Sequence, residues 1–500
     1  MIVLIVTIIV TALLWIILDN SNRRKLPPGP IKLPIFGNAL QISLAGKLTG
    51  PAYYKLSKQY GDVMSLKTGT LDSIVLSSYE VMRELFAKDE VSDRQCDGAG
   101  LERNMNRNMG IIFASGKVWK DLRRFTLRNL RDFGFSKSNL MESAQQEELQ
   151  NFGEYLTEKL KKSKNGVMSM RGFFNLPVLN VVWSMIMSER FPYDDPKLTH
   201  YIQLNDEFFL SNNFVSSWSL FFPFLRNWFP EQSGRNAILR SVDGLQHFIR
   251  GVIEDCRRKE IYKINPQNLV DVFLEKIESE KNDPSTSFTD DQLLITMLDI
   301  FQAGLETTSN MLSWTILFLI LNPHVQERLY EEISRVIPKG QPITLDHKNR
   351  MPYAHATILE SHRRARLIPI AIGHKVVTDF EYQGYLFKAG TPVFANTYAV
   401  LVNEELWKDP DQYYPERFLN ADGKIDKRKA EIIKIVFSPG KRICIGESVA
   451  ESSIFMFLVG LVQMFEFQCV PGQPKPTTVP QVGFAYSPHN FDVVIKVRDN

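Results

Sequence analysis

Near the end of the chain, one cysteine lies among residues that could hold a metal ion. The segment Phe437-Ser438-Pro439-Gly440-Lys441-Arg442-Ile443-Cys444-Ile445-Gly446 combines a Pro-Gly turn, a basic pair and the cysteine, and an apolar stretch typical of a helix follows it. A sulfur beside basic groups at a helix N-terminus favours the thiolate over the thiol. Because a thiolate is a strong axial donor to haem iron, we expect Cys444 to be a metal ligand.

An acid followed by two alcohols interrupts an otherwise apolar stretch, in the segment Ala303-Gly304-Leu305-Glu306-Thr307-Thr308. The small residues Ala303 and Gly304 would leave room beside a helix for a flat cofactor. Glu306 and Thr307 could then supply protons to a ligand in that space. The alternative interpretation is a helix kink in which a threonine hydroxyl bonds back to the preceding turn.

Two further pairs of side chains have spacings that place them on one helix face. Glu360 and Arg363 form a Glu-x-x-Arg pair, and Arg417 follows in a loop rich in Pro, Asp and Tyr. Trp119 and Arg123 lie on adjacent turns, so both could donate hydrogen bonds to one carboxylate. This last pair could equally belong to a surface amphipathic helix, because three more arginines follow it.

Taken in order along the chain, these motifs resemble those of the cytochrome P450 family of haem-thiolate monooxygenases, and in particular its animal microsomal type. The resemblance implies one haem b whose iron is bound by Cys444, with Cys96, Cys256 and Cys469 structural. The cofactor-binding residues that it implies are Trp119, Arg123, Ala303, Gly304, His374, Phe437, Gly440, Arg442, Cys444 and Gly446. The catalytic residues would be Thr307 and Glu306. A buried charged network that locks the cysteine loop would consist of Glu360, Arg363 and Arg417.

The same resemblance implies a reaction and its partners. Such an enzyme inserts one oxygen atom from O2 into a lipophilic small molecule, by hydroxylation or epoxidation, with electrons from NADPH through a flavoprotein reductase. Cytochrome b5 is a second candidate electron donor. An acidic reductase could dock on a basic face behind the cysteine. That face would consist of Lys120, Arg124, Arg128, Arg131, Lys434 and Lys441. The alternative for these residues is an ordinary solvated charged face.

By the family layout, mostly apolar residues would line the substrate pocket and suit a steroid, fatty acid, terpenoid or xenobiotic. The pocket segments would be Met109–Phe113, Phe208-Phe209, Ala303, Leu367–Ile370 and Phe484-Ala485-Tyr486. The stretches Arg123–Phe125 and Leu130–Gly134 resemble the branch that includes juvenoid epoxidases and ecdysteroid hydroxylases. A farnesoate-type epoxidase is therefore one specific alternative.

Three other functions compete with this interpretation. The stretch Gly446-Glu447-Ser448-Val449-Ala450 nearly matches the Gly-x-Ser-x-Gly elbow of hydrolases, but alanine replaces the last glycine and a cysteine loop, not a strand, precedes it. A haem carrier or sensor would not need Glu306 and Thr307. A haem-thiolate isomerase that rearranges peroxides without activating O2 is disfavoured by the same pair.

The N-terminus has the pattern of an uncleaved membrane anchor. Residues 1–18 contain no charged side chain, would span about 27 Å as a helix, and are followed by Arg23-Arg24-Lys25. This charge order favours an anchor over a cleavable signal peptide and a catalytic domain facing the cytosol, at the endoplasmic reticulum membrane. The aromatic stretch Phe214–Pro230 is a second candidate for membrane contact, with core packing as its alternative.

Composition and periodicity bound the fold that must position these residues. The 500-residue chain has 59 basic and 56 acidic residues, which argues against wholesale nucleic-acid binding, and its four cysteines favour a reducing compartment. A capping box at Thr289–Gln292 predicts a helix of about 48 Å that ends before Asn322-Pro323, and Val63–Ser78 predicts a hairpin. We predict a mainly α fold with small β-sheets. Its predicted parts are an anchor at 1–18, a basic and proline-rich hinge at 19–30, and a single haem-binding monooxygenase domain at 31–500.

Overall fold

Helices form most of the computed structural model of this chain, and short strands form four small sheets among the described residues. The residues described are 10, 25–68, 71–96, 98–133, 139–163, 165–211, 225–338 and 341–498. The helices, numbered along the chain, are α1 Ala39–Ala45, α2 Thr49–Tyr60, α3 Tyr79–Phe86, α4 Gly98–Arg103, α5 Gly116–Asp132, α6 Asn139–Lys162, α7 Asn175–Met187, α8 Pro196–Ser211, α9 Leu225–Trp228, α10 Arg235–Lys259, α11 Leu269–Glu280, α12 Asp290–Leu321, α13 Pro323–Val336, α14 Pro352–Ala365, α15 Thr397–Leu401, α16 Lys427–Ile433 and α17 Glu447–Met464. The predicted mainly α fold is confirmed.

One mixed sheet brings two distant basic residues together. The strands are β1 Val63–Thr68, β2 Leu71–Leu76, β3 Asp93–Arg94, β4 Val167–Ser169, β5 His374–Lys375, β6 Phe380–Tyr382, β7 Tyr385–Phe387, β8 Pro392–Ala395, β9 Phe465–Cys469, β10 Pro480–Gln481, β11 Ser487–Pro488 and β12 Asp492–Val497. The largest sheet has the order β1-β2-β8-β5-β3, and the others are β4-β12-β9, β6-β7 and β10-β11. Strands β1 and β2 pair antiparallel, which confirms the predicted hairpin. At the other edge Arg94 pairs with His374.

The long helix α12 runs through the core and is buried along most of its 32 residues. Thr289 caps it, since its hydroxyl accepts a hydrogen bond from the Gln292 amide at 3.2 Å. The predicted reciprocal half of the capping box is wrong. The Gln292 side chain instead bonds to a neighbouring loop. It donates to the Asn108 carbonyl at 3.2 Å and accepts from the Gly110 amide at 3.0 Å. As predicted, the helix ends before Asn322-Pro323.

The predicted membrane contacts fall almost entirely outside the described residues. Of the anchor 1–18 only Val10 is described, and residues 212–224 of the aromatic stretch are likewise outside. At the end of that stretch, the side chains of Trp228 and Phe229 are 74% and 47% exposed. Among the described residues, a single helix, α17, is long and apolar enough to cross a membrane. Two thirds of it is buried inside the fold, so we interpret it as a core helix.

Candidate active site

A cavity of about 320 Å³ lies between the long helix and the cysteine loop. Its walls are mostly apolar, and they include side chains from α4, α5, α7, α8, α12 and the segments around residues 111–113, 367–372 and 436–446. Of the predicted pocket segments, the members that line it are Ile111, Ile112, Phe113, Phe208, Phe209, Ala303, Leu367, Ile368 and Phe484. The predicted apolar pocket therefore exists, with nine of its fifteen predicted residues at the wall.

Cys444 lies at the wall of this cavity, in a loop that is held by a backbone hydrogen bond and by close packing. Its backbone amide donates to the Phe437 carbonyl at 2.8 Å, and Phe437 also lines the cavity. Gly440 has φ +83°, and a Cβ built there would lie 2.1 Å from the Phe86 carbonyl oxygen, so only glycine fits. A Cβ built on Gly446 would lie 4.0 Å from the Cys444 sulfur, an ordinary contact. These contacts fix the sulfur at one place on the wall.

Burial and the groups around Cys444 act on its thiol in opposite directions. Burial raises the pKa of the thiol above its ordinary value, although backbone N–H groups of Gly446 and Glu447 and the charge of Arg123 act in the opposite direction. Desolvation therefore outweighs the positive field. A bound metal would supply the missing stabilisation, because coordination deprotonates a cysteine thiol outright.

Four predicted cofactor-binding residues gather beside the cysteine loop. The Arg442 guanidinium donates to the carbonyls of Ser92, Ile111 and Ala114, and it lies 3.6 Å from the centre of the Trp119 ring. Arg123 donates to the Ile443 carbonyl at 2.6 Å. His374 Nδ1–H donates to the Val91 carbonyl, 2.7 Å away, and the imidazole ring stacks on Phe86. The structure thus brings together side chains that are more than 300 positions apart in the chain.

Arg94 belongs to the same group, and sequence reasoning missed it. It is buried and lines the cavity, and its guanidinium donates to the Ile112 and Ile372 carbonyls at 3.2 and 2.8 Å. Burial, followed by the nearby Arg123, lowers its pKa to about 9. Burial and then Arg94 lower the pKa of Arg442 to about 8. Only the pairing of β3 with β5 could have revealed this residue, because no local motif marks it.

This group fits the carboxylates of a haem. Arg94, Arg123 and Arg442 concentrate positive charge, and the acceptors named above are neutral backbone carbonyls. Trp119 Nε1–H is a buried donor with no hydrogen-bond partner among the described residues. His374 Nε2 also has none, and it could donate only from a protonated ring, because Nδ1–H already donates to Val91. Buried charges and donors cost free energy unless a partner satisfies them. Two carboxylates at the edge of a flat, apolar cofactor would supply that partner, and their negative charge would favour the protonated His374 ring.

The helix residues predicted to lie over the cofactor do reach the cavity. Ala303, Gly304 and Thr307 all line it. A Cβ built on Gly304 would also approach Val182 of α7 at 3.1 Å, so the glycine serves the packing of two helices as well. The Thr307 hydroxyl donates to the Ala303 carbonyl at 2.8 Å. This is the back-bond of the alternative interpretation, and it occurs in a residue that also faces the cavity.

Glu306 is buried and turned away from the cavity towards α8. Its carboxylate accepts from Asn310 at 2.6 Å and from Asn205 at 3.3 Å. Burial, and then the charge of Asp206, raise its pKa to about 8, while the Asn310 hydrogen bond opposes that rise. Asp206 itself has a pKa raised to about 6 by burial. Burial therefore favours the protonated form of Glu306, one residue away from Thr307.

The predicted charged network is present in full. Arg363 donates to both Glu360 oxygens at 2.7 and 2.8 Å, and the two residues are completely buried. Arg417 donates to the same carboxylate at 3.1 Å. The remaining donors of both arginines bond to backbone carbonyls of the stretch from Leu401 to Gln412. The network therefore ties α14 to the long loop that leads to the cysteine.

A second polar group, which sequence reasoning also missed, lies at the cavity wall and contacts the same residues 111 and 112. Arg103 of α4 pairs with Asp299 of α12 at 2.8 Å and donates to the Gln302 side chain at 2.7 Å. Asp299 also accepts the backbone amides of Ile111 and Ile112 at 2.6 and 3.0 Å. Asp299 and Gln292 thus bind residues 108–112 to the long helix through hydrogen bonds. We call residues 108–112 the roof loop. Polar residues in an apolar helix were the available signal, but their partners lie far away in the chain.

The predicted basic face is exposed along α5. Lys120, Arg124, Arg128 and Arg131 are all exposed. Lys434 pairs with Glu431 at 3.5 Å, and Lys441 pairs with Asp89. The two lysines next to the cysteine loop are thus partly neutralised, whereas the α5 group remains a charged surface.

The rival hydrolase motif lacks its structural context. Residues 446–450 form the start of α17 and follow a 3-10 turn and an irregular loop, where the hydrolase elbow requires a strand. Cys256 and Cys469 are not in disulfides, and Cys469 ends strand β9 as its alternating pattern predicted. Burial raises the pKa of Cys256 to about 11, in line with a structural role.

Comparison with known proteins identifies the family. The model of the family described as Cytochrome P450 matches residues 27–495. Cytochrome P450 2B4 of Oryctolagus cuniculus is 32% identical over 480 residues, which is 95% of this chain and 94% of the relative. Cytochrome P450 2C11 of Rattus norvegicus is 31% identical over 497 residues (98% and 96%), and cytochrome P450 2L1 of Panulirus argus is 31% identical over 484 residues (95% of both). With Cys444 as the one described cysteine at the wall of its apolar cavity, this chain belongs to the cytochrome P450 family of haem-dependent monooxygenases.

Proposed function

We propose that this protein inserts one oxygen atom from O2 into a lipophilic small molecule, using electrons from NADPH that a flavoprotein reductase delivers. The observation that carries the proposal is the arrangement of the cavity: Cys444 lies at one wall, Thr307 lies on the long helix, and apolar side chains form most of the remainder. Such a lining gains free energy when an apolar molecule replaces water. A charged, hydrophilic substrate would lose its hydration there without compensation.

The haem would be held by residues of this chain at its centre and at its edge. Cys444 is the proposed axial ligand, and Phe437, Gly440 and Gly446 give its loop the required shape. Trp119, Arg123, His374 and Arg442, together with Arg94, are the proposed partners of the haem carboxylates. When bound, the haem supplies the site at which O2 is reduced and one of its atoms is transferred to the substrate.

Thr307 and Glu306 would control the protons that this reaction consumes. The Thr307 hydroxyl can turn from the Ala303 carbonyl and donate into the cavity, since both residues lie at the cavity wall. Burial, and then the nearby Asp206, raise the pKa of Glu306 and so favour its protonated form. We propose that Glu306 returns a proton to the Thr307 hydroxyl, through a small movement of its side chain or through intervening water. This acid and alcohol favour oxygen activation over the isomerase alternative.

The electron donor would approach from the cysteine side. The exposed basic residues of α5 lie on the helix that also carries Trp119 and Arg123, so an acidic reductase docked there would be close to the haem edge. Cytochrome b5 could use the same surface. We place the protein at the endoplasmic reticulum membrane, held by residues 1–18 with residues 19–30 as the hinge and residues 31–500 in the cytosol. The charge order of the N-terminus supports this orientation.

Two measurements on the full-length protein test the proposal. A reduced, carbon-monoxide-bound spectrum with its Soret band shifted far to the red would report thiolate ligation. Turnover with NADPH, reductase and 18O2 would then be assayed on a panel of steroids, fatty acids, terpenoids and methyl farnesoate. A product with one labelled oxygen supports monooxygenation, and epoxidised methyl farnesoate selects the farnesoate alternative. Rearrangement of a peroxide without NADPH, or spin-state shifts only with charged hydrophilic compounds, would contradict it.

A further inference from the structure

One buried amide in the cavity wall has a free hydrogen-bond donor. Gln302 lines the cavity and is 2% exposed, and its Nε2 has no hydrogen-bond partner among the residues that the structure describes. Its other terminal atom, Oε1, accepts from Arg103 Nε at 2.7 Å. An unpaired amide donor that is shielded from water lowers stability unless a ligand satisfies it.

The orientation of this amide is fixed by its neighbours. The Arg103 guanidinium is held by Asp299 at 2.8 Å and by Asn104 at 2.9 Å. A flipped Gln302 amide would direct its NH2 group at the Arg103 Nε–H, donor against donor, which is unfavourable. Arg103 therefore holds the oxygen, and the nitrogen is left for another acceptor. A donor fixed before binding loses little entropy when it meets a ligand.

We propose that Gln302 is a specificity residue that donates a hydrogen bond to a ketone, ester or other acceptor oxygen of the substrate. This inference rests on the proposed lipophilic substrate and narrows it to apolar molecules with one acceptor oxygen. Gln302 precedes Thr307 by five residues, which is about 7.5 Å along the helix axis. The acceptor oxygen therefore lies several bonds from the carbon that is oxidised. Carbonyl-free hydrocarbons would fill the same space but leave the amide unpaired.

Binding of two matched probes to the haem-loaded, full-length protein tests this role. The probes are 2-tridecanone and tridecane, which have the same chain length and differ in one carbonyl, and spin-state titration with equilibrium dialysis gives each Kd. The change Gln302→Leu should raise the Kd of 2-tridecanone about three- to tenfold, the range expected for one hydrogen bond. It should change the Kd of tridecane less than about twofold. Gln302→Glu keeps the acceptor for Arg103 but loses the donor, so it should show the same selective loss.

The matched control is Gln246→Leu. Gln246 is also buried and contacts Arg103, but its amide is already paired and it does not line the cavity. The ratio of the two Kd values should stay at the wild-type value in this variant. Equal weakening of both probes in Gln302→Leu and Gln302→Glu, or an unchanged ratio, would overturn the role of Gln302 while leaving the proposed function intact. Failure of wild-type protein with a thiolate-type spectrum to bind either probe would overturn both.

Discussion

The guanidinium of Arg442 lies over the indole ring of Trp119, with its central carbon 3.6 Å from the ring centre. One residue comes from the cysteine loop and the other from α5, so this contact couples the proposed iron ligand to the proposed carboxylate site. The indole N–H has no partner in the described chain, and the buried Arg94 and Arg442 line the cavity together with the half-buried Arg123. The axial and peripheral contacts to the haem therefore belong to one packed unit.

Replacement of Cys444 by alanine should abolish the red-shifted carbon-monoxide spectrum. No other described cysteine lines the cavity, so nothing replaces the lost ligand. The matched control is Cys469→Ala, since Cys469 lies at the end of β9. It should keep the wild-type spectrum. A Cys444→Ala protein that retained the thiolate-type band would show that the ligand is another residue.

The change Thr307→Ala should uncouple NADPH consumption from product formation. The hydroxyl at the cavity wall would be lost, so NADPH should still be oxidised while peroxide is released and product yield falls about tenfold or more. Peroxide and product are measured in the same assay. Thr315→Ala is the control, because Thr315 makes the same type of back-bond, to Met311, but does not line the cavity. Equal coupling in Thr307→Ala and wild type would contradict the proton-delivery role.

Glu306 should give the protein a pH-dependent stability of defined sign. Burial, then Asp206, raises its pKa from 4.5 to about 8, so the folded protein binds this proton more tightly than the unfolded chain does. The resulting stabilisation is complete below about pH 4.5 and is lost as the pH rises through about 8. Glu306→Gln cannot titrate, so its melting temperature should rise relative to wild type by about 2 °C or more between pH 6 and pH 9.

Calorimetry of both haem-loaded proteins at the two pH values checks this prediction. The exposed Glu275 provides the control, and Glu275→Gln should keep a constant offset from wild type. A constant offset for Glu306→Gln as well would show that its carboxyl does not titrate in this range.

Loss of the buried network should prevent stable haem incorporation. In Arg363→Leu the fully buried Glu360 would lose its bidentate partner, a cost of about 3–5 kcal/mol. The ratio of haem to protein after purification should fall well below that of wild type. Arg364→Leu is the matched control, since Arg364 pairs with Asp411, whose side chain is 85% exposed. It should retain haem. Full haem occupancy in Arg363→Leu would show that the network is not needed to hold the cysteine loop.

Charge reversal on α5 should weaken reduction by the flavoprotein. The double change Lys120→Glu and Arg124→Glu removes two exposed positive charges, so the KM for reductase should rise about tenfold at low salt and the difference should shrink at high salt. The control is Lys55→Glu with Lys58→Glu, two exposed lysines on α2. The carbon-monoxide spectrum should remain normal in both double variants. An unchanged KM would identify α5 as an ordinary solvated face.

The sequence predicted the elements that are marked by local patterns. Apolar periodicity and the Thr289 cap located the long helix, and β-branched residues located the hairpin β1–β2. Sequence reasoning failed where a partner is distant in the chain. Gln292 bonds to residues 108 and 110 and not to its own helix end, and Arg94 enters the site only because β3 pairs with β5. A local motif also shows nearby charges but not burial, which raises the pKa of the Cys444 thiol.

The roof loop contains neither helix nor strand, yet it should behave as a component of the framework. Gln292 holds the Gly110 amide, and Asp299 holds the amides of Ile111 and Ile112. These three amides should therefore exchange with deuterium as slowly as those of the long helix, in contrast to ordinary surface loops. Insertions or deletions between residues 108 and 112 would break this register and should be far less tolerated than changes at exposed turns. Changes in the shape of the cavity should therefore come from movements of its other walls.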